Sequence, residues 1–113
     1  PLADLERLQA ETPDEVFVFG STYLIYYSFN LSNPDLANID LRRALTLALD
    51  RETLENKIVK AGGVPTLSFA GKFDPDYPAP EIAEASMTQA EREALAQELY
   101  AKAGFCLLYT SDA

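Results

Sequence analysis

The sequence predicts a mixed α/β fold, and three features carry that prediction. A ten-residue run of aromatic and β-branched side chains, Thr22–Leu31, reads as a strand. Two consecutive stretches after Asp40 and Asp50 place apolar residues at helical spacing behind a side chain able to cap. Thr88-Gln89-Ala90-Glu91 is a capping box opening a third helix. With 113 residues, of which 48% are hydrophobic, the chain has the size and apolar content of one packed domain.

Taken in order, Asp4-Leu5-Glu6-Arg7-Leu8-Gln9 reads as the last turns of a short helix, stopped at Thr12-Pro13. Val16-Phe17-Val18-Phe19 is a short run of β-formers closed by Gly20-Ser21. The strand Thr22–Leu31 follows, with so little polar alternation that cover on both faces is expected. Ser32-Asn33-Pro34-Asp35 ends it. Asp40 is placed to cap a helix over 41–49 that buries Leu41, Ala44, Leu45, Ala48 and Leu49. Asp50 is placed to cap a second helix, 51–60, with Leu54, Ile58 and Val59 inward and Gly62-Gly63 as its stop. Residues 64–87 form a long loop punctuated by Pro65, Pro75, Pro78 and Pro80, with Phe69, Phe73 and Tyr77 between them. The last helix is expected over 89–103, burying Ala94, Leu95, Leu99 and Ala103 and ending at Gly104.

Charge and residue types exclude whole classes of chemistry. Nine basic against 18 acidic residues give a net charge of −9, without a Lys/Arg cluster, so phosphate backbones would be repelled. Nucleic acid is therefore not an expected partner. There is no histidine and a single cysteine, Cys106, which removes Ser-His-Asp and Cys-His nucleophiles and His/Cys zinc sites. Asp74-Pro75-Asp76 supplies two carboxylates where a calcium loop needs five or more oxygen ligands. No enzyme activity, metal or cofactor is expected. No apolar run approaches the roughly 20 residues that span a bilayer. Pro1-Leu2-Ala3-Asp4 has no signal-peptide pattern, so a targeting segment is expected to be absent or cut away.

Tyr23, Tyr26 and Tyr27 are the side chains whose pattern bears on binding. Tyrosine joins a large apolar face to a polar tip and suits the lining of an adaptable site. Aromatic residues in a strand serve equally well as core, and both readings stand at this point.

The order of elements then becomes recognisable. Tyr26-Tyr27-Ser28-Phe29-Asn30, a loop with Pro34, and Ile39-Asp40-Leu41-Arg42-Arg43-Ala44-Leu45-Thr46-Leu47-Ala48-Leu49-Asp50-Arg51 resemble the oligopeptide- and dipeptide-binding receptors of ABC transporters, solute-binding family 5. Asn30, Arg42, Ala44, Leu45, Ala48, Asp50 and Arg51 fall on the family pattern in register. Gly63-Val64-Pro65-Thr66 and Ala101-Lys102-Ala103-Gly104-Phe105 resemble two further family turns, whereas the family's Pro-Pro pair near Ala70-Gly71 is absent.

The resemblance implies a two-lobed, type II periplasmic-binding-protein-like receptor, with residues 1–105 a portion of it entering the second lobe. It implies an extracytoplasmic or periplasmic location, a peptide ligand touched by Tyr23, Tyr26 and Tyr27, and permease subunits as partners. Asn30, Arg42, Asp50 and Arg51 would form its structural motif. Membrane contact would come only through a lipid anchor or permease outside this chain. The family's acidic residue for the peptide amino terminus lies further on. The alternative is a small acidic protein-interaction domain that uses the proline-rich loop 64–87. The octapeptide Cys106–Ala113 resembles translated sequencing-adapter read-through, so 106–113 is expected to be a non-native tail.

Overall fold

The computed structural model describes residues 4–20, 22–69, 76–78 and 80–106. Its contacts divide the chain into two compact units. One comprises Pro1–Ile25 with Asp50–Ile82, the other Tyr26–Leu49 with Ala83–Ala113.

The first unit opens with α1, Leu5–Glu11, whose C-terminal turn is closed by the Thr12 N–H on the Leu8 carbonyl. A 3₁₀ turn, Pro13–Glu15, follows, started by proline where its missing N–H costs nothing. Later in the same unit α2, Arg51–Thr53, begins at Asp50, whose carboxylate accepts the Thr53 N–H at 2.9 Å. It then widens into a π-helical turn over Leu54–Val59. The Lys60 N–H closes that turn on the Glu55 carbonyl at 2.7 Å, an i→i−5 bond. Lys60 itself is left-handed, with φ 53°. The helix therefore stops at Lys60, ahead of the expected Gly62-Gly63. Glu55 explains the early stop: its Oε1 accepts the N–H groups of Ala61 at 3.1 Å and Gly63 at 2.7 Å. A Cβ on Gly63 would lie 3.0 Å from that carboxylate, so the turn needs its glycine.

The second unit is built on two helices, α3, Ile39–Ala48, and α4, Gln89–Lys102. Asn38, not the expected Asp40, caps α3: its Oδ1 accepts from Asp40 N–H at 2.9 Å and from Leu41 N–H at 3.4 Å. Asp40 falls in the first helical turn, where its charge suits the positive end of the helix dipole. The capping box at Thr88 and Glu91 forms with both reciprocal bonds present.

Packing is antiparallel, because each helix start reaches the other's end. Asn38 Nδ2 donates to the Ala103 carbonyl at 3.5 Å. Gln89 Nε2 donates to the carbonyls of Leu47 and Ala48 at 3.4 and 3.5 Å. Between these ends Ala44 and Leu47 of α3 meet Ala96 and Leu99 of α4, flanked by Leu95 and Tyr100. Small residues on both sides let the helices approach closely enough for the leucines to interlock. Tyr100 also stacks on Phe105, ring centroids 5.3 Å apart, where Gly104 turns the chain with φ 92°.

Several expected inward faces are rotated. Leu45 and Ala48 are exposed and Leu47 is buried, because α3 starts two residues earlier than expected and meets one neighbouring helix on a narrow stripe. Ala94 is exposed while Ala96 is buried. Ile58 is 70% exposed, since the π-helical turn redirects it.

The mixed α/β expectation is met on its helical side only. Among the described residues there is no strand: Val16–Phe19 and 22–30 are irregular. A strand exists only through a ladder with a neighbour, and no described segment supplies one. The expected loop 64–87 holds a 3₁₀ turn at Ala83–Ser86, tied to α3 by Arg43 and Glu84 at 2.6 Å. Its residues 70–75 and 79, like 107–113 of the tail, lie outside the described residues.

Candidate functional site

The three tyrosines point to solvent. Tyr23, in the first unit, is 78% exposed, and Tyr26 and Tyr27, in the second, are 59% and 79% exposed. None of them fills the core, so their apolar rings and hydroxyls remain available to a further surface or a ligand.

Asn30 and Arg42 act on one loop. Asn30 Oδ1 accepts the Ser32 N–H at 3.0 Å, and its carbonyl accepts the Asn33 N–H at 3.1 Å, which turns the chain directly after the tyrosine segment. Asn33 Oδ1 then accepts from the Asp35 N–H at 3.0 Å, an Asx turn ahead of α3. Arg42 Nη1 donates to the carbonyls of Leu36 and Ala37, each at 2.9 Å. A guanidinium reaching back from the helix thus satisfies two loop carbonyls, and a lysine could not span both in the same planar way. Together these bonds fix the chain between Tyr27 and α3. Asp50 and Arg51 belong to the other unit, where they open α2.

The first unit also has a groove of about 190 Å³, lined by Leu5, Glu6, Val18, Glu55, Lys60 and Gly62 among others. Its lysine is paired with Glu6 at 2.9 Å, and Glu55 is spent on the Ala61 and Gly63 N–H groups. None of the seven residues singled out from sequence lines it. The role of Glu55 escapes a sequence reading because its partners, six and eight positions on, follow no helical or strand period.

Perturbed carboxyls serve packing. The Arg43 guanidinium, by hydrogen bond, holds Glu84 below the usual carboxylate range. The Thr88 backbone N–H and then its hydroxyl hold Glu91 down in the same way. A general acid needs the opposite shift. Among the described residues no three His, Cys, Asp or Glu side chains converge as metal ligands, and no helix is long and apolar enough to cross a membrane.

Comparison with known proteins meets this geometry at the level of the whole chain. The model of the bacterial extracellular solute-binding proteins, family 5, middle, matches residues 1–109. The periplasmic oligopeptide-binding protein OppA of Escherichia coli is 29% identical over 99% of this chain and 20% of its own length. OppA of Salmonella typhimurium is 30% identical over 93% of this chain and 19% of its own. The unliganded open form of the periplasmic murein tripeptide-binding protein MppA superposes with a TM-score of 0.85, covering 94% of this chain and 21% of that one at 24% identity. The chain shares its fold with that stretch of MppA, and it spans about a fifth of the length of the curated relatives it matches.

Proposed function

The chain belongs to the bacterial extracellular solute-binding proteins of family 5, and from that membership we propose that it is a portion, entering the second lobe, of a periplasmic type II receptor that binds peptides and delivers them to an ABC importer. Members of this family bind solutes and are not enzymes, in keeping with a chain that has no histidine.

The observation that carries the proposal is the family match over residues 1–109. It embraces the Tyr26–Asn30 segment and the Arg42–Arg51 block in one alignment. In such a receptor the exposed rings of Tyr23, Tyr26 and Tyr27 form part of one wall of the ligand site. Asn30 and Arg42 hold the loop behind that wall. Peptide main chain is recognised through hydrogen bonds, many of them carried by water, while roomy pockets tolerate different side chains. Release follows lobe opening.

Reading the source locus tests this. The proposal expects one frame that continues into further family sequence, beside permease and ATPase genes. A frame closing on an unrelated domain, with no transport genes adjacent, would overturn it. The same reading decides the tail. We treat 106–113 as non-native, and a genomic frame that encodes this octapeptide and runs on into receptor sequence would refute that assignment.

A further inference from the structure

All of the buried side chains among the described residues lie in one unit. Leu41, Ala44, Leu47, Arg92, Ala96 and Leu99 belong to Tyr26–Leu49 and Ala83–Ala113. The unit formed by Pro1–Ile25 and Asp50–Ile82 has no buried described residue. It nevertheless carries Phe17, Phe19, Tyr23, Ile25, Ile58 and Val64, each 70–84% exposed. A large aliphatic or aromatic side chain left in water forgoes about 1.5–3 kcal/mol of burial. Exposed apolar side chains grouped this densely mark an interaction surface.

We infer that this apolar face of the first unit is an internal docking surface, covered by strand-forming segments of the same receptor polypeptide beyond these 113 residues. The inference rests on the proposed reading of the chain as a portion of a longer receptor. Three observations select that occupant. The curated relatives are about five times longer than the matched stretch, so the covering polypeptide exists in the family. Val16-Phe17-Val18-Phe19 and Tyr23-Leu24-Ile25 are strong β-formers without a ladder among the described residues, and so offer backbone N–H and C=O groups to an incoming strand. Finally, residues 1–25 and 50–82 carry 11 acidic and 5 basic side chains, a net charge of −6. A second copy would bring the same charge against itself.

Hydrogen exchange on the 113-residue chain and on the complete receptor from the source locus tests the inference without a substitution. Amides of 16–20 and 22–25 are expected to exchange about 100-fold more slowly in the complete receptor, as ladder protection requires. Amides of α3 and α4 should be protected in both. Phe17→Ser with Ile25→Ser should leave the α3 and α4 exchange of the short chain unchanged and lower the Tm of the complete receptor by several degrees. Equal exchange at 16–25 in the two proteins overturns the inference. So does a short chain that is dimeric and becomes monomeric with those substitutions, because the occupant is then a second copy. None of these readouts requires peptide binding. A receptor that protects 16–25 but binds no peptide refutes the proposed function and leaves this inference standing.

Discussion

Lys102, at the end of α4, meets Asp40, in the first turn of α3, with Nζ 3.0 Å from Oδ2. Each charge sits at the helix end that its sign favours, and the pair joins the two helices where Asn38 also bridges them. Lys102 is 68% exposed, so solvent weakens the attraction. Asp40→Asn is expected to cost about 0.5–1 kcal/mol in low salt, and the cost should vanish near 1 M salt. Urea unfolding of both proteins at two salt concentrations reads this directly.

The α3–α4 contact carries far more. Leu47→Ala and Leu99→Ala each remove a buried side chain, and each should cost about 2–4 kcal/mol. Ile58→Ala removes an equally large side chain that is already in water and should stay within about 0.5 kcal/mol. Loss of helical circular dichroism on heating separates the two outcomes. A similar cost at Ile58 would mean that the first unit has a core of its own.

What was legible in the sequence followed what is local. The caps at Asp50 and Thr88 and the stop at Gly104 depend on residues within four positions, and the structure has them. Asn38 was missed because Asp40 is equally able to cap. The choice between them is tertiary: only Asn38 has an amide to give to Ala103 while its oxygen holds the α3 N–H groups. The buried faces of both helices were rotated for a similar reason, since a two-helix contact selects a narrow stripe from a wider apolar one. The tyrosines were legible as candidates by type, but a strand requires a partner and a ligand wall requires an opposite wall. Neither can be read from the run itself.

Acid should loosen the second unit. Glu84 and Glu91 both titrate below the usual value of 4.5, through Arg43 and Thr88 respectively. A depressed carboxyl pKa contributes stability that is present above the unfolded value and is lost as pH falls through the folded one. Tm should therefore be flat from neutral pH down to the usual carboxylate range and fall below it. Thr88→Ala with Glu91→Gln should remove the Glu91 share of that fall, together with about 1 kcal/mol of helix stability at neutral pH. A Tm that rises on acidification would contradict the assignment.

Ring removal tests the tyrosine wall. In the complete receptor, Tyr23→Ala, Tyr26→Ala and Tyr27→Ala should each weaken peptide affinity by roughly 5–30-fold, the cost of about 1–2 kcal/mol of aromatic contact. The corresponding Phe variants should retain most of the affinity if the ring is what binds. Three Ala variants with unchanged affinity and unchanged Tm would remove these residues from the site.

Calorimetry with a mixed pool of tri- to pentapeptides bears most directly on the central claim that this chain belongs to a peptide receptor whose site needs more than these residues. A closing receptor surrounds its ligand, whereas one exposed wall leaves water competing for hydrogen bonds that net about 1 kcal/mol each. Association costs an estimated 4–15 kcal/mol before any surplus appears. The account predicts micromolar or tighter binding by the complete receptor and no measurable heat from a verified monomer of the 113-residue chain. Absence of peptide binding by the complete receptor, or micromolar binding by the short chain alone, would contradict it.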